Sequence, residues 1–345
     1  MNEVTVIGID LAKSVFEVCL KAADGRVVER RRLRRAAFER FMETAPRVLV
    51  GLEAGPGAHY WARWLKARDF AVKVMSPRAV RAYRDGPHKS DALDADAVGE
   101  AATRARVRAV AIKSEEAQCL QALIRVRACR IAQRTRVTNQ LGSLMVEFGI
   151  AAGRNLATWY NRIAATPAFA AAPEEMRLLF DELIEDARAL DRRIRQLDAE
   201  IARQVKDNPL GWLLTTVPGI GPVTTAQIIA RIASPDDFAN ARAMPAFLGL
   251  VPRLIASGET SRLGPITKHG PADIRQGLVL GAQAVITAAL RNPAKDDPLY
   301  VLARKLLAKG KERNKVAVAL ANRMARIACV ILQTEQPYNP PRRAA

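Results

Sequence analysis

Apolar positions in the first third of the chain change period several times. VTVIGID (4–10) is an apolar run ending on Asp10, and SVFEVCLKA (14–22) follows with partial alternation of apolar and polar residues. A turn at Asp24-Gly25 leads into RVVERRRLR (26–34), so the first three runs predict hairpin-linked strands. FERFMETA (38–45) predicts a short helix and RVLVGLEA (47–54) a buried strand. HYWARWLKAR (59–68) predicts an amphipathic helix, and AVKVMSP (71–77) a fifth strand closed by Pro77. HKSDALDADAVGEAA (88–102) then reads as the start of a helix.

The resulting order, β-β-β-α-β-α-β-α, is that of an RNase H-like fold, an α/β domain with a mixed sheet expected over residues 1–110. The middle region, 111–207, reads as a helical linker followed by a coiled coil. Met176, Phe180, Leu183, Ala187, Leu190, Ile194, Leu197 and Ile201 are spaced alternately by four and three residues, an a/d seam with Glu, Asp and Arg between. Such a seam serves either a self-association arm or a long helix packed within its own chain; the arm is the expectation. Residues 208–335 predict a mostly helical C-terminal domain. It opens with LLTTVPGIGPVTTAQIIARI (213–232), in which Pro-Gly-Ile-Gly-Pro separates two apolar helical stretches. That arrangement suits either a plain helical turn or a helix-hairpin-helix element, whose Gly219 and Gly221 would let backbone N–H groups approach a phosphate. Further helices are predicted over 273–290 and 311–333, and 336–345 as a disordered basic tail.

Composition narrows the partners. The 345 residues carry 54 Lys and Arg against 35 Asp and Glu, a formal net charge of +19. A surplus of this size points to a polyanion, most often nucleic acid. It is concentrated over 101–140 (+7) and after residue 200 (+11), while 141–200 is acidic (−3). Aromatic residues are only 5%, against a large aromatic-lined ligand site. The chain has no uncharged apolar run of about 18 residues and no signal-peptide pattern, so a cytoplasmic protein without membrane partners is expected. The four cysteines lack a CxxC pair and the three histidines are scattered, which argues against a zinc site or a disulfide framework. Any metal should be hard and oxygen-bound, Mg²⁺ or Mn²⁺ on carboxylates.

The acidic minority supplies candidates for that metal. Asp10 ends the first predicted strand and Glu53 lies at the end of the fourth. Asp91 and Asp94 share one face of the predicted helix at i, i+3. Taken singly, Asp10 suits a turn and Asp91 an N-cap, and Asp96 competes with Asp94. Central strands would bring Asp10 and Glu53 side by side with the helix on their flank. Four carboxylates converging without basic partners make sense only around divalent cations.

A second constellation lies in LGLVPRLIASGETSRLGPITKHGPADIRQGLV (248–279). Ser257-Gly258 is read as a loop, with Arg253, Arg262, Lys268 and His269 nearby. Cations there would stabilise an attacking serine and the charge developing on phosphorus, although a serine in a glycine-rich loop is also ordinary.

These motifs resemble those of the IS110-family transposases. Asp10, Glu53, Asp91 and Asp94 look like the family's D-E-D-D set, with Lys89, Asp91, Asp94 and Ala95 on its K-x-D-x-x-D-A pattern. PGIG, GLVP and SGETSRLGPITKHG follow the P-G-I-G, G-L-x-P and S-G-G-K-T-R-x-G-x-I-T-K-x-G patterns of its second domain. Glu259 and Thr260 depart from the usual Gly-Lys. The resemblance implies a RuvC-like N-terminal domain, a coiled coil that joins two or four copies, and a C-terminal domain bearing the nucleophile. By the same resemblance Asp10, Glu53, Asp91 and Asp94 would bind Mg²⁺ and Ser257 would form a 5′-phosphoserine link, with Ser261 the alternative serine. Donor and target DNA and a structured bridge RNA are the implied partners. Two other readings share the residues: a RuvC-like structure-selective nuclease using metal-activated water, and a nucleic-acid-binding protein whose acidic site has decayed.

Overall fold

A computed structural model of the chain describes residues 3–84, 91–151, 159–163, 166–232, 238–257 and 260–339. It divides into two compact units, Met1–Ser114 and Glu115–Ala345. The division leaves the helical middle with the C-terminal residues rather than as a region of its own.

The first unit is an α/β layer structure. Strands β1 (Val4–Leu11), β2 (Val15–Ala22) and β3 (Val27–Arg34) form an antiparallel meander. Helix α1 (Arg35–Thr44), β4 (Leu49–Glu53), α2 (Ala58–Lys66), β5 (Ala71–Met75), the short α3 (Pro77–Val80) and α4 (Asp91–Thr103) follow. The sheet order is β3-β2-β1-β4-β5, with β4 parallel to both β1 and β5. Where helices cover both faces, the strands are near-continuous apolar runs, as parallel pairing requires. The β3 edge instead carries Arg30, Arg31, Arg32 and Arg34 and is largely exposed, which discourages pairing with another chain. One face is packed by Phe16, Phe38 and Trp61, with ring centroids 4.8–5.2 Å apart. The other face receives α4 through Val98, Ala101 and Ala102.

The second unit is mostly helical. Its first part comprises α5 (Glu115–Glu147), α6 (Tyr160–Ile163), α7 (Pro167–Ala170) and α8 (Glu174–Asp207). Helices α5 and α8 pack antiparallel: Arg134 pairs with Asp191 at 2.8 Å, and Arg127 pairs with Asp198 further along. Phe180, Ala187, Leu190, Ile194 and Ile201 are buried inside this single chain. Seam residues expected to join copies are therefore buried within the chain, Phe180 and Ala187 among Leu141 and Met145 of α5, and Ile201 beside Leu120. Leu141, Met145, Trp159 and Tyr160 complete the packing around Phe180, and the Tyr160 hydroxyl donates to Asp191.

The second part contains α9 (Pro209–Thr215), α10 (Pro222–Arg231), α11 (Ala243–Phe247), the hairpin β6 (Pro252–Ser257) and β7 (Thr260–Ile266), α12 (Ala272–Arg291), α13 (Pro298–Ala308) and α14 (Arg313–Thr334). Two differences from the sequence reading stand out here. Ser257 belongs to a strand rather than a loop, because β6 and β7 pair in antiparallel register up to Ser257↔Thr260. The tail does not become disordered at 336. Tyr338 packs on the core, its N–H donating to Thr216 Oγ1 at 2.9 Å and its hydroxyl to Asp297 Oδ1 at 3.3 Å. Helix α14 is long and apolar enough to cross a membrane by composition, but 56% of that window is buried in the unit's core.

Candidate functional site

Helix α4 lies directly on the sheet because two strand glycines, Gly8 and Gly51, leave it room. A Cβ on Gly8 would stand 2.1 Å from the Ala95 carbonyl oxygen and 2.4 Å from the Gly99 nitrogen. One on Gly51 would stand 2.8 Å from Ala102 Cβ and 2.9 Å from the Val98 oxygen. Gly99 faces Gly8 across this contact. No side chain fits at these two strand positions, so α4 rests against β1 and β4.

Asp10 and Glu53 occupy equivalent positions there. The parallel register pairs Ile9 with Leu52, and Asp10 and Glu53 are the next residues along each strand. Asp94 reaches the same end from α4 and is only 6% exposed. Asp91 is the first residue of α4, but its side chain lies outside the described residues.

The acids are not without a basic partner, as the sequence had suggested. Arg84 lies between them, Nη2 at 3.2 Å from Glu53 Oε2 and Nε at 2.9 Å from Asp94 Oδ1. Two carboxylates drawn together at low exposure need a positive charge, and Arg84 supplies it, donating a hydrogen bond from Nη2 to Glu53 while Nε forms an ion pair with Asp94 without a hydrogen bond. Among the described residues no group of three or more His, Cys, Asp or Glu is arranged to hold a metal. The donor chemistry nevertheless fits a hard divalent cation: all donors are carboxylate oxygens, and buried Asp94 already draws a cation to the position.

Asp96 is engaged elsewhere. Its oxygens accept from Lys21 Nζ at 2.7 Å and Arg30 Nη2 at 2.8 Å. Lys21 is buried and also binds Glu100 at 3.0 Å, tying α4 to β2. Burial alone would lower the Lys21 ammonium, but the hydrogen bonds to Asp96 and Glu100 outweigh it and hold the value above normal. The same hydrogen bond from Lys21, followed by one from Arg104 and opposed by burial, keeps the Glu100 carboxyl below its ordinary range.

In the second unit Ser257 ends β6 opposite Thr260, with Ile255 opposite Arg262 and Leu254 opposite Leu263. The side chains of Ser257 and Ser261, and residues 258–259, lie outside the described residues. Leu254 and Leu263 are both largely exposed, as are Arg253, Arg262, Lys268 and His269. The base of the ribbon is a close backbone contact that the motif spelling did not disclose. Gly249 (φ 67°) and Gly270 (φ 76°) are left-handed, and a Cβ on either would fall 2.3 Å or 1.9 Å from the His269 or Phe247 oxygen. Thr267 N–H donates to Val251 O and Lys268 N–H to Gly249 O, while Arg275 Nη1 donates to the Leu248 and His269 oxygens at 3.0 and 3.1 Å. Lys268 is itself left-handed (φ 56°), a conformation that is uncommon for a residue bearing a Cβ.

The two glycines of the Pro-Gly-Ile-Gly turn differ. Gly219 (φ 87°) faces α12, where a Cβ would stand 2.7 Å from the Gly281 oxygen, so packing explains it. Gly221 is exposed at the start of α10 with nothing within 4 Å of a Cβ, leaving room for a ligand near the helix N–H groups.

Comparison with known proteins covers both sets of motifs. A family model for the IS110-type DEDD transposase domain, described as a transposase, matches residues 7–150. A second, described as a transposase of the IS116/IS110/IS902 family, matches residues 212–296. A probable family 20 transposase of Pseudomonas aeruginosa is 38% identical over 97% of this chain and 98% of its own length. The transposase for insertion sequence element IS1328 of Yersinia enterocolitica is 32% identical over 96% of this chain and 97% of the relative. That for IS1111A of Coxiella burnetii is 30% identical over 98% and 92%.

Proposed function

The chain belongs to the IS110/IS116 family of insertion-sequence transposases, and from that premise we propose that it cuts and rejoins DNA through a serine nucleophile assisted by a divalent-metal site and guided by a structured bridge RNA. The observation that carries the proposal is Arg84 bridging Glu53 and Asp94 where β1 and β4 end in parallel register, which puts Asp10 beside Glu53 in a β3-β2-β1-β4-β5 sheet. The strand order supports an RNase H-like, RuvC-like reading of this unit.

Asp10, Glu53, Asp91 and Asp94 would hold Mg²⁺ or Mn²⁺. When bound, the metal supplies Lewis-acid stabilisation of charge on phosphate oxygens. Arg84, now between Glu53 and Asp94, would share or yield that position. Ser257 Oγ attacks phosphorus and loses its proton. A 5′-phosphoserine bond forms, the bond to the 3′ oxygen breaks, and that oxygen leaves as a hydroxyl after taking up a proton. Attack by a 3′ hydroxyl on the phosphoserine reverses the step and rejoins strands. Arg253, Arg262 and Lys268 would neutralise the phosphates flanking the serine, and Gly221 would admit a phosphate to the start of α10. Exposed Arg125 and Arg136 of α5 offer the +7 segment to a nucleic-acid backbone. A second or fourth copy would bring one subunit's serine to another's acids.

Incubating the protein with its RNA, DNA and Mg²⁺ and resolving the products on a denaturing gel tests the proposal. A protein–DNA adduct is expected, and Ser257→Ala should abolish it. An adduct persisting in that variant would overturn the serine assignment, and 5′-phosphate ends without any adduct would indicate metal-activated water instead.

A further inference from the structure

We infer that a cavity between α14 and the C-terminal segment binds one nucleotide of a single-stranded nucleic acid. The inference rests on the reading that the chain handles nucleic acid, but not on the serine or the metal.

The pocket is built by a chain reversal. Glu335 takes a left-handed conformation (φ 53°, ψ 29°) that ends α14, its N–H donating to the Ile331 oxygen. Residues 336–339 then fold back along the helix. Tyr338 pins the segment through Thr216 and Asp297, and burial, followed by the nearby Asp297 charge, pushes its hydroxyl well above the normal range, so it stays a neutral donor. Between helix and segment lies a cavity of about 290 Å³. Small-ligand pockets typically run from about 300 to 1,000 Å³, so this one has room for a base and sugar but not for a base pair.

Its walls divide by chemistry. Ile327, Val330 and Ile331 provide an apolar surface. Arg323 and Arg326, spaced i, i+3 on one face of α14, provide positive charge. Arg326 Nε is buried without a hydrogen-bond partner, and Arg323 acts electrostatically on the Tyr338 hydroxyl. A buried, unsatisfied donor beside a second, exposed guanidinium, in a cleft with an apolar wall, suits a ligand carrying both a phosphate and a flat ring. A nucleotide within a strand has that combination of an anionic phosphate and a flat, largely apolar base.

The test uses the full chain and a fluorescein-labelled oligothymidylate, read by anisotropy. Arg323→Ala and Arg326→Ala should each weaken binding and flatten its salt dependence by about 0.7 in log–log slope. Val330→Trp, which fills the cavity from its exposed side and leaves both charges, should weaken it roughly tenfold with an unchanged melting temperature. Duplex binding and adduct formation should be preserved in the Val330 variant. Wild-type oligothymidylate binding by Val330→Trp would overturn the pocket assignment. Equal affinity for thymidine 5′-monophosphate and the oligomer would overturn the assignment to a strand. Loss of the adduct in the parent protein, with the Val330 effect intact, would instead remove the recombinase reading and leave the pocket standing.

Discussion

Gly8→Ala is the sharpest test of how the acidic site is assembled. The added methyl would lie 2.1 Å from the Ala95 oxygen and 2.4 Å from the Gly99 nitrogen, whereas ordinary Cβ contacts fall at 3.4–4 Å. Both obstacles are backbone atoms of one helix, so no side chain can swing aside. α4 must retreat by about 1 Å, loosening Val98, Ala101 and Ala102 from the sheet, and overpacking of this kind costs about 1–3 kcal/mol. The same retreat carries Asp94 away from Glu53, and a misplacement near 1 Å can lower a rate about 100-fold. Calorimetry should show a lower transition temperature for the variant, Mn²⁺ titration a weaker affinity, and the denaturing gel little adduct. Gly99→Ala is the control. Its nearest new contact, Lys21 Cδ at 3.1 Å, needs a shift of only a few tenths of an ångström, and alanine gains about 1 kcal/mol over glycine in a helix interior, so little net change is expected. A Gly8→Ala protein that melts, binds Mn²⁺ and forms adduct like its parent would refute the argument that close helix-on-sheet contact positions the acids.

Arg84→Gln removes the cation between Glu53 and Asp94; discounted for the partial exposure of the pair, the metal-free protein should lose about 1–2 kcal/mol while Mn²⁺ binds more tightly, and unchanged Mn²⁺ affinity would show that Arg84 does not compete for the position. The hydrogen bond from Lys21 holds the Glu100 carboxyl below the ordinary glutamate range, so its contribution to stability is complete above that range and is lost as pH falls through the depressed value. Acid unfolding of Glu100→Gln should accordingly be shallower than that of the parent, and identical profiles would argue against the Lys21–Glu100 tie. Leu190→Asp should lower the melting temperature of the second unit, because Leu190 is buried between α8 and its own chain; a fall in mass by light scattering with unchanged melting would return the seam to a role between copies. Asp10→Asn should abolish strand cleavage and leave RNA binding intact, with filter binding as the check.

The strands of the first unit were legible because their apolar runs are short, bounded by turns and matched to a sheet covered on both faces. Glu53 and Asp94 were legible as acids at a strand end and a helix start, and the structure brings these two together through Arg84. Arg84 was not, since nothing in a basic chain distinguishes one arginine among many until the fold turns it toward Glu53 and Asp94. Gly8, Gly51 and Gly99 were equally silent in sequence, as a glycine in a strand or helix has many possible causes. A signal was available in principle: glycine at the centre of two neighbouring apolar strands, followed by a glycine inside the helix that crosses them.

By itself the sequence determined most element types, the charge pattern and which side chains are candidates for metal binding or nucleophilic attack, because periodicity and side-chain chemistry are local properties. It could not determine which partner satisfies each face. The heptad of α8 fits a second copy and a neighbouring helix equally well, and only the tertiary structure supplies α5 as the one that buries it. The tail likewise lacks apolar periodicity, yet Tyr338 finds Thr216 and Asp297 far away in sequence. Such long-range choices depend on which surfaces are left over after the core has packed, and that is a property of the whole fold.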